Sequence, residues 1–249
     1  MSFTRVVFIY SLIGVFIFSS CEDKHSKKNE LNKQQNVDSI SVDKSTIEKD
    51  IPKKDTEDKL VTEEVEPFKL TNKNLREFMA QYGKENPETL VKIKTSFGDI
   101  HIQLYKQTPL HRANFIYLVK QKYFDETFFY RVAKGFVIQG GNSDRQQMAR
   151  KRFEIGDYTV PQEPVKGFKH HRGAVALSKQ WVDNPSNRST PFEFFIVVAK
   201  NGAYHLDGEH TIFGKVVKGM NVVDKISKVP VDESEWPKED IFIKAEIIK

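Results

Sequence analysis

Apolar and polar residues alternate through Val91-Lys92-Ile93-Lys94-Thr95 and through Ile100-His101-Ile102-Gln103-Leu104, on either side of Ser96-Phe97-Gly98-Asp99. A period of two around a Gly-containing connection predicts a β-hairpin with one buried face. Upstream, Leu75, Phe78, Met79 and Tyr82 recur at helical spacing, which predicts a short amphipathic helix with Thr71 as N-cap and Gly83 just past its end. Downstream, Thr108-Pro109 opens a second helix that buries Ala113, Phe115, Ile116, Leu118 and Val119 and closes at Tyr123-Phe124. Residues 142–169 read as a loop. Strand-like runs follow at 173–178, 193–199, 211–217 and 241–248, with a short helix around Val222, Val223 and Ile226. Many short strands within about 180 residues predict a mainly β domain, one closed barrel or sandwich.

The run Phe129 to Gly141 departs from this pattern, because it sets Arg131 and Gln139 among apolar residues. Arg131, Ala133, Val137 and Gln139 share one parity, so extended backbone places Arg131 and Gln139 on one face, with Lys134-Gly135 as an interruption. Taken alone, the segment fits equally an edge strand with a solvated arginine and a Gly-Gly turn.

Composition divides the chain. Arg5, a nearly uncharged stretch from Val6 to Ser20 and small residues before Cys21 have the layout of a secretory signal, expected to span residues 1–20. That stretch is short against the roughly 20 residues a permanent transmembrane helix needs. Phe18-Ser19-Ser20-Cys21 resembles a bacterial lipobox, with Phe18 where leucine is usual, and the resemblance implies cleavage before Cys21 and a lipid anchor on its thiol. Cys21 is the only cysteine, so neither an intramolecular disulfide nor a Cys-based metal site is available. Residues 21–66 hold no aromatic residue and nine Lys against thirteen Asp plus Glu, a tether of net charge −4 that cannot bury enough apolar surface to order itself. Its root-mean-square reach is roughly 40 Å. Residues 67–249 carry 29 Lys plus Arg against 21 Asp plus Glu, net +8. The expected organisation is therefore a signal, a tether, a helical lead-in at 67–90 and a folded domain at 91–249, read as a monomer. Glu22-Asp23 is similar to acidic surface-export signals, and the periplasm and the cell exterior both stay open as destinations.

Several ordered blocks resemble the cyclophilin-type peptidyl-prolyl isomerases. They are Thr95-Ser96-Phe97-Gly98-Asp99-Ile100, Thr108-Pro109-Leu110-His111-Arg112-Ala113-Asn114-Phe115, the arginine run, Phe194-Phe195-Ile196, and His205 to Val216. The resemblance implies an eight-stranded antiparallel barrel capped by two helices, with a groove on its outside. It implies Arg131 as the catalytic donor, Gln139 as its orienting partner, and Phe136, Val137, Phe195 and Leu206 as a proline pocket. His210 would close that pocket near Leu206. Ser178 stands where alanine usually faces the residue before proline, and His205 stands at a variable position.

The chemistry such a site performs needs no nucleophile, metal or cofactor, because no bond is broken. An X-Pro amide must be twisted against a barrier of about 18–20 kcal/mol, and the prolyl nitrogen gains a lone pair only as planarity is lost. A permanently protonated guanidinium fits that transient acceptor.

This chain departs from the family at Tyr130, where histidine is common, at Val137 for methionine, at Lys179 for asparagine, and at Phe192-Glu193 for a small residue and glutamine. Glu193 is expected either to fix Arg131 or to occupy its donors, with Lys179 as an alternative partner for Glu193. Two other readings compete with the enzyme. One is an idle module that binds Pro-containing segments as an envelope chaperone or adaptor. The other is an anion binder using Arg145, Arg150, Lys151 and Arg152; without aromatic interleaving these read as solvated surface, so no nucleic acid is expected.

Overall fold

The protein is described by a computed structural model that covers residues 68–180 and 183–248. The signal, the tether and Cys21 lie outside the described residues. A two-residue strand β1 (Leu70–Thr71) leads into helix α1 (Leu75–Glu85). Asn74, not Thr71, stands at the N-cap; its Oδ1 accepts the Thr71 N–H at 2.8 Å and its Nδ2 donates to Lys69 O at 2.9 Å. Gly83 does not end this helix but lies inside it. A Cβ there would come within 3.1 Å of Arg112 Nη2 and 3.2 Å of Ala113 Cβ, so the glycine serves close helix contact.

The alternating runs form the expected hairpin, β2 (Leu90–Thr95) and β3 (Gly98–Leu104), in a register that pairs Ile93 with Ile100. Helix α2 (Pro109–Lys120) follows. Thr108 occupies its N-cap position, but its hydroxyl turns back to Tyr105 O. The helix N-terminus is satisfied from far along the chain, because Glu163 accepts the N–H groups of Leu110 at 3.0 Å and His111 at 2.9 Å. Arg112, on the same helix, is 7% exposed and donates to Asn86 O at 2.8 Å and Gly83 O at 2.7 Å. It thereby fastens the end of α1 to α2 and satisfies carbonyls that the helix leaves unpaired.

The arginine run folds as a hairpin rather than one strand: β4 (Phe128–Ala133) and β5 (Val137–Asn142), closed by a Phe136 N–H bond to Ala133 O at 3.0 Å. Residues 142–169, expected as loop, contain helix α3 (Gln146–Ile155) and a short strand β6 (Gly156–Asp157) that pairs with β1. Strands β7 (Ala174–Lys179), β8 (Ser189–Val197) and β9 (Ile212–Lys218), helix α4 (Met220–Ile226) and strand β10 (Lys244–Ile247) complete the chain. Strand β8 starts four residues before the sequence pattern indicated, and β10 is the shorter part of the expected 241–248 run.

One eight-stranded antiparallel sheet runs in the order β10-β2-β3-β9-β7-β8-β5-β4. It curls until residues 241–243 meet 127–129: Phe129 N–H donates to Ile241 O at 3.0 Å and Ile243 N–H to Thr127 O at 2.9 Å. The barrel expected from the pattern is thus a curled sheet whose outer edges are joined at this bridge. Inside it, Phe194 packs edge-on against Phe115 and Phe129, with ring centroids 5.5 and 5.9 Å away. Because side chains alternate along β8, Phe194 and Ile196 enter this core while Phe195 and Val197 join a separate apolar patch on the outer face. That outer face carries the groove.

Candidate active site

Strand register lays the site out. Arg131 pairs with Gln139, Gln139 with Phe195, and Phe195 with Ala176, so four neighbouring strands present one cross-sheet row on the outer face. The register shifts between Phe129 and Arg131, which makes Tyr130 an extra residue on β4. Such a bulge re-aims the side chains beyond it. Phe129 therefore points into the core while Arg131, two residues on, faces outward.

The row opens into a groove of about 1370 Å³. All eleven groove residues named from the sequence line it: Arg131, Phe136, Val137, Gln139, Ser178, Lys179, Glu193, Phe195, His205, Leu206 and His210. Its apolar end is built by Phe136 and Leu206 packed against Val137, Phe195, Ala176 and Ile212. His205 stacks on Phe136 at 5.2 Å and the His210 ring stands edge-on to Phe195 at 5.2 Å. The Leu206 carbonyl accepts the His210 N–H at 3.2 Å, which fixes the turn that covers this end.

The polar end is a connected chain of hydrogen bonds. Gln139 donates through Nε2 to Ser178 Oγ at 2.8 Å and to the Tyr130 hydroxyl, which leaves its Oε1 to accept from Arg131 Nη1 at 3.3 Å. Tyr130 donates in turn to Glu193 Oε2 at 3.0 Å. Burial, reinforced by the Glu193 carboxylate, drives the Tyr130 phenol pKa well upward, so it stays a donor at any working pH. Glu193 Oε1 receives Arg152 Nη2 at 3.2 Å and Asn142 Nδ2 at 3.1 Å. Arg152 Nε reaches the Tyr123 hydroxyl at 2.7 Å, and Tyr123 donates to Gly141 O at 2.9 Å. Gly141 sits at φ 97°, where a Cβ would strike the Phe192 carbonyl, so this glycine lets β5 and β8 close beneath the network.

Two expectations about charge partners are corrected here. Glu193 pairs with Arg152, not Arg131, because α3 brings a second arginine over β8. Lys179 bonds Asn187 Oδ1 at 2.7 Å and the Glu209 carboxylate instead of neutralising Glu193. The acid that does meet Arg131 is Glu235, whose Oε2 lies 2.7 Å from Nη2. Sequence spacing offered no sign of it. The basic run at 145–152 is largely engaged within the fold: Arg145 pairs with Glu126 at 2.9 Å, Lys151 donates to the carbonyls of Gln121 and Lys122, and Arg152 belongs to the site.

The sequence reading also missed α3, and Lys69 just before β1, as walls. Arg152 and Phe153 line the groove, with Lys69 Nζ 3.5 Å from the Phe153 ring centroid. The signal was present in part: Met148, Arg152 and Ile155 lie at helical spacing, and Met148 and Ile155 are buried.

Three histidines behind or beside this surface share one electrostatic state. His111 Nδ1 lies 2.7 Å from Glu163 and Nε2 3.0 Å from Ser189 Oγ; His170 Nδ1 lies 2.8 Å from Asp207 Oδ1; His210 Nδ1 lies 3.1 Å from Leu177 O. Burial dominates in each and pushes the pKa below the ordinary imidazole value, in His111 and His170 against the pull of a carboxylate. Each ring is accordingly neutral, with Nδ1–H as donor. An unfolded chain takes up protons on these rings below about pH 6.5 while the folded chain resists, so their contribution is complete above that pH and is lost as pH falls. The thermal midpoint is expected to drop as pH is lowered from about 7.5 to about 5.5, before most carboxylates titrate. An unchanged midpoint over that interval would contradict neutral burial of these rings.

The family model described as "Cyclophilin type peptidyl-prolyl cis-trans isomerase/CLD" matches residues 90–247. The chain belongs to the cyclophilin-type peptidyl-prolyl cis-trans isomerases. It is similar to a peptidyl-prolyl cis-trans isomerase of Acinetobacter baylyi, 36% identical over 146 residues, which cover 57% of this chain and 73% of that one. A peptidyl-prolyl cis-trans isomerase-like 2 of Rhizopus delemar is 36% identical over 170 residues, covering 68% of this chain but only 30% of that longer protein. Among solved structures, a cyclophilin-type isomerase of Cryptosporidium parvum superposes with a TM-score of 0.55 at 27% identity, covering 65% of this chain and 98% of that one. The same protein has been solved in the presence of the dipeptide Ala-Pro.

Proposed function

We propose that this cyclophilin rotates X-Pro bonds in exported or envelope polypeptides, with Arg131 as the donor that recognises the twisted imide. The observation that carries the reading is the cross-strand row: guanidinium, orienting amide and Phe195 stand side by side on β4, β5 and β8, next to the apolar end of the groove. A proline ring held against Phe136, Val137, Phe195 and Leu206 keeps one side of the imide still while the other turns. As planarity is lost, the nitrogen becomes pyramidal and accepts a hydrogen bond it cannot accept in either ground state, so a donor aimed there lowers the barrier selectively. Of the five N–H donors of a guanidinium, Gln139 and Glu235 take one each, which leaves three for substrate among the described residues. The Ala-Pro dipeptide present with the Cryptosporidium relative supports a proline-containing ligand.

Residues 1–66 supply the cellular half of the proposal. A signal over 1–20, a lipidated Cys21 and a polar tether over 21–66 would hold the domain some distance from a bacterial membrane, in the periplasm or outside. The acyl chain is testable by mass spectrometry of the mature protein.

The Arg131–Glu235 pair favours one alternative, a module that binds proline segments without turning them over, because it occupies a catalytic donor. Comparing wild type with Arg131→Ala in a proline-isomerisation assay separates the two. The enzyme reading expects a wild-type rate well above background that the variant loses while still binding peptide; equal rates in the two proteins would overturn it.

A further inference from the structure

The structure assigns Glu235 as the positioning residue of Arg131, an inference that rests on the catalytic reading of that arginine. Its carboxylate meets Nη2 at 2.7 Å while Gln139 meets Nη1 at 3.3 Å, so the two acceptors hold both terminal nitrogens of the fork. A planar guanidinium held at two corners keeps its plane and its remaining donors directed.

Stability does not account for this ion pair. Its side chains are 36% and 40% exposed, and pairs so open to solvent add little to folding. Yet the loop that delivers Glu235 is heavily determined. Asp232 Oδ1 accepts the N–H groups of Ser234 at 2.8 Å and Trp236 at 2.9 Å, and Asp232 O accepts the Glu235 N–H at 3.1 Å. Val132 N–H donates to Glu235 O at 2.8 Å, which locks the loop onto β4 one residue beyond Arg131. Trp236 packs on Tyr130 at 5.8 Å and Phe128 at 6.1 Å, so residues 130, 131 and 132 are each held by this one loop. Glu235 itself adopts φ 63°, a left-handed conformation unfavourable for a residue with a Cβ. Glycine would be at ease there; a carboxylate is found instead.

The test uses that strain. Glu235→Gly suits the left-handed backbone and removes the whole side chain, the strained Cβ together with the carboxylate, so its unfolding midpoint should equal or exceed wild type. Its kcat/KM on an X-Pro peptide is expected to fall about tenfold, in kcat and not in KM, as a misdirected donor demands. Glu235→Gln, which retains an acceptor oxygen, should recover most of the rate. Added to Arg131→Ala, the glycine substitution should cost nothing further. A Glu235→Gly enzyme as fast as wild type, or faster, would overturn the assignment, as would an equal proportional loss in the Arg131→Ala background. Arg131→Ala at the wild-type rate would remove the catalytic reading together with the clamp; a slow Arg131→Ala beside a fast Glu235→Gly removes the clamp alone.

Discussion

Arg131→Ala is expected to lower kcat/KM on an X-Pro peptide by about 10²–10³, the loss seen when one preorganised donor to a developing lone pair or oxyanion is removed, about 2.7–4 kcal/mol. The whole catalysed reduction of the barrier needs only about 5–7 kcal/mol to reach roughly 10²–10³ turnovers per second, so one donor of this kind supplies about half of it. Peptide affinity should change little, because the ring-binding end of the groove, built from Phe136, Val137, Phe195 and Leu206, is untouched. Arg131→Lys should fall between the two: the charge survives, but an ammonium has no fork to span Gln139, Glu235 and an imide together. Isomerisation followed by NMR exchange on a proline peptide measures rate and affinity in one sample. A lysine variant at full rate would show that charge alone, not donor geometry, drives the reaction.

Glu163→Ala is expected to destabilise the domain by about 3 kcal/mol, because three groups lose their acceptor at once. The N–H groups of Leu110 and His111 at the start of α2 and the buried His111 Nδ1 all bond this one carboxylate. Caps of this kind contribute about 0.5–2 kcal/mol each, and an orphaned buried imidazole donor adds to that. For a domain of this size the thermal midpoint should fall by about 6–12 °C. Peptide turnover measured well below the midpoint should persist, since neither Glu163 nor His111 lines the groove. A midpoint within a degree of wild type would show that water replaces the carboxylate at the end of the helix.

These cases separate what local pattern carries from what it does not. The β2–β3 hairpin was legible because alternation states which face is buried, and a two-residue period leaves one register. The shared face of Arg131 and Gln139 was legible for the same reason, whereas Phe195 entered through the resemblance and the row itself came only from the register of β4, β5 and β8. The start of α2 at Thr108-Pro109 was legible, but the acceptor of its first N–H groups was not, because Glu163 is 53 residues from Leu110 and no local rule can find it. Gly83 looked like a helix end for a parallel reason: only α2 packing against it shows that the missing Cβ serves a contact with Arg112 and Ala113. Helix α3 was missed because its apolar positions are few, and its partner, the pair β1–β6, forms only when both segments are folded. Glu193 lines the groove, but its partner could not be assigned before α3 was seen to carry Arg152 across β8.

By itself the order of residues determined the mainly β domain and the resemblance to the family, since these follow from periodicity and motifs that act over a few residues, and the groove side chains were named through that resemblance. Tertiary structure alone decided which charges meet. Glu235 and Arg131 are 104 residues apart in the chain and joined only because the loop after α4 crosses the outer edge of β4. Ion pairs depend on distances of a few ångströms between side chains, and such distances are fixed by the packing of whole elements rather than by any local preference.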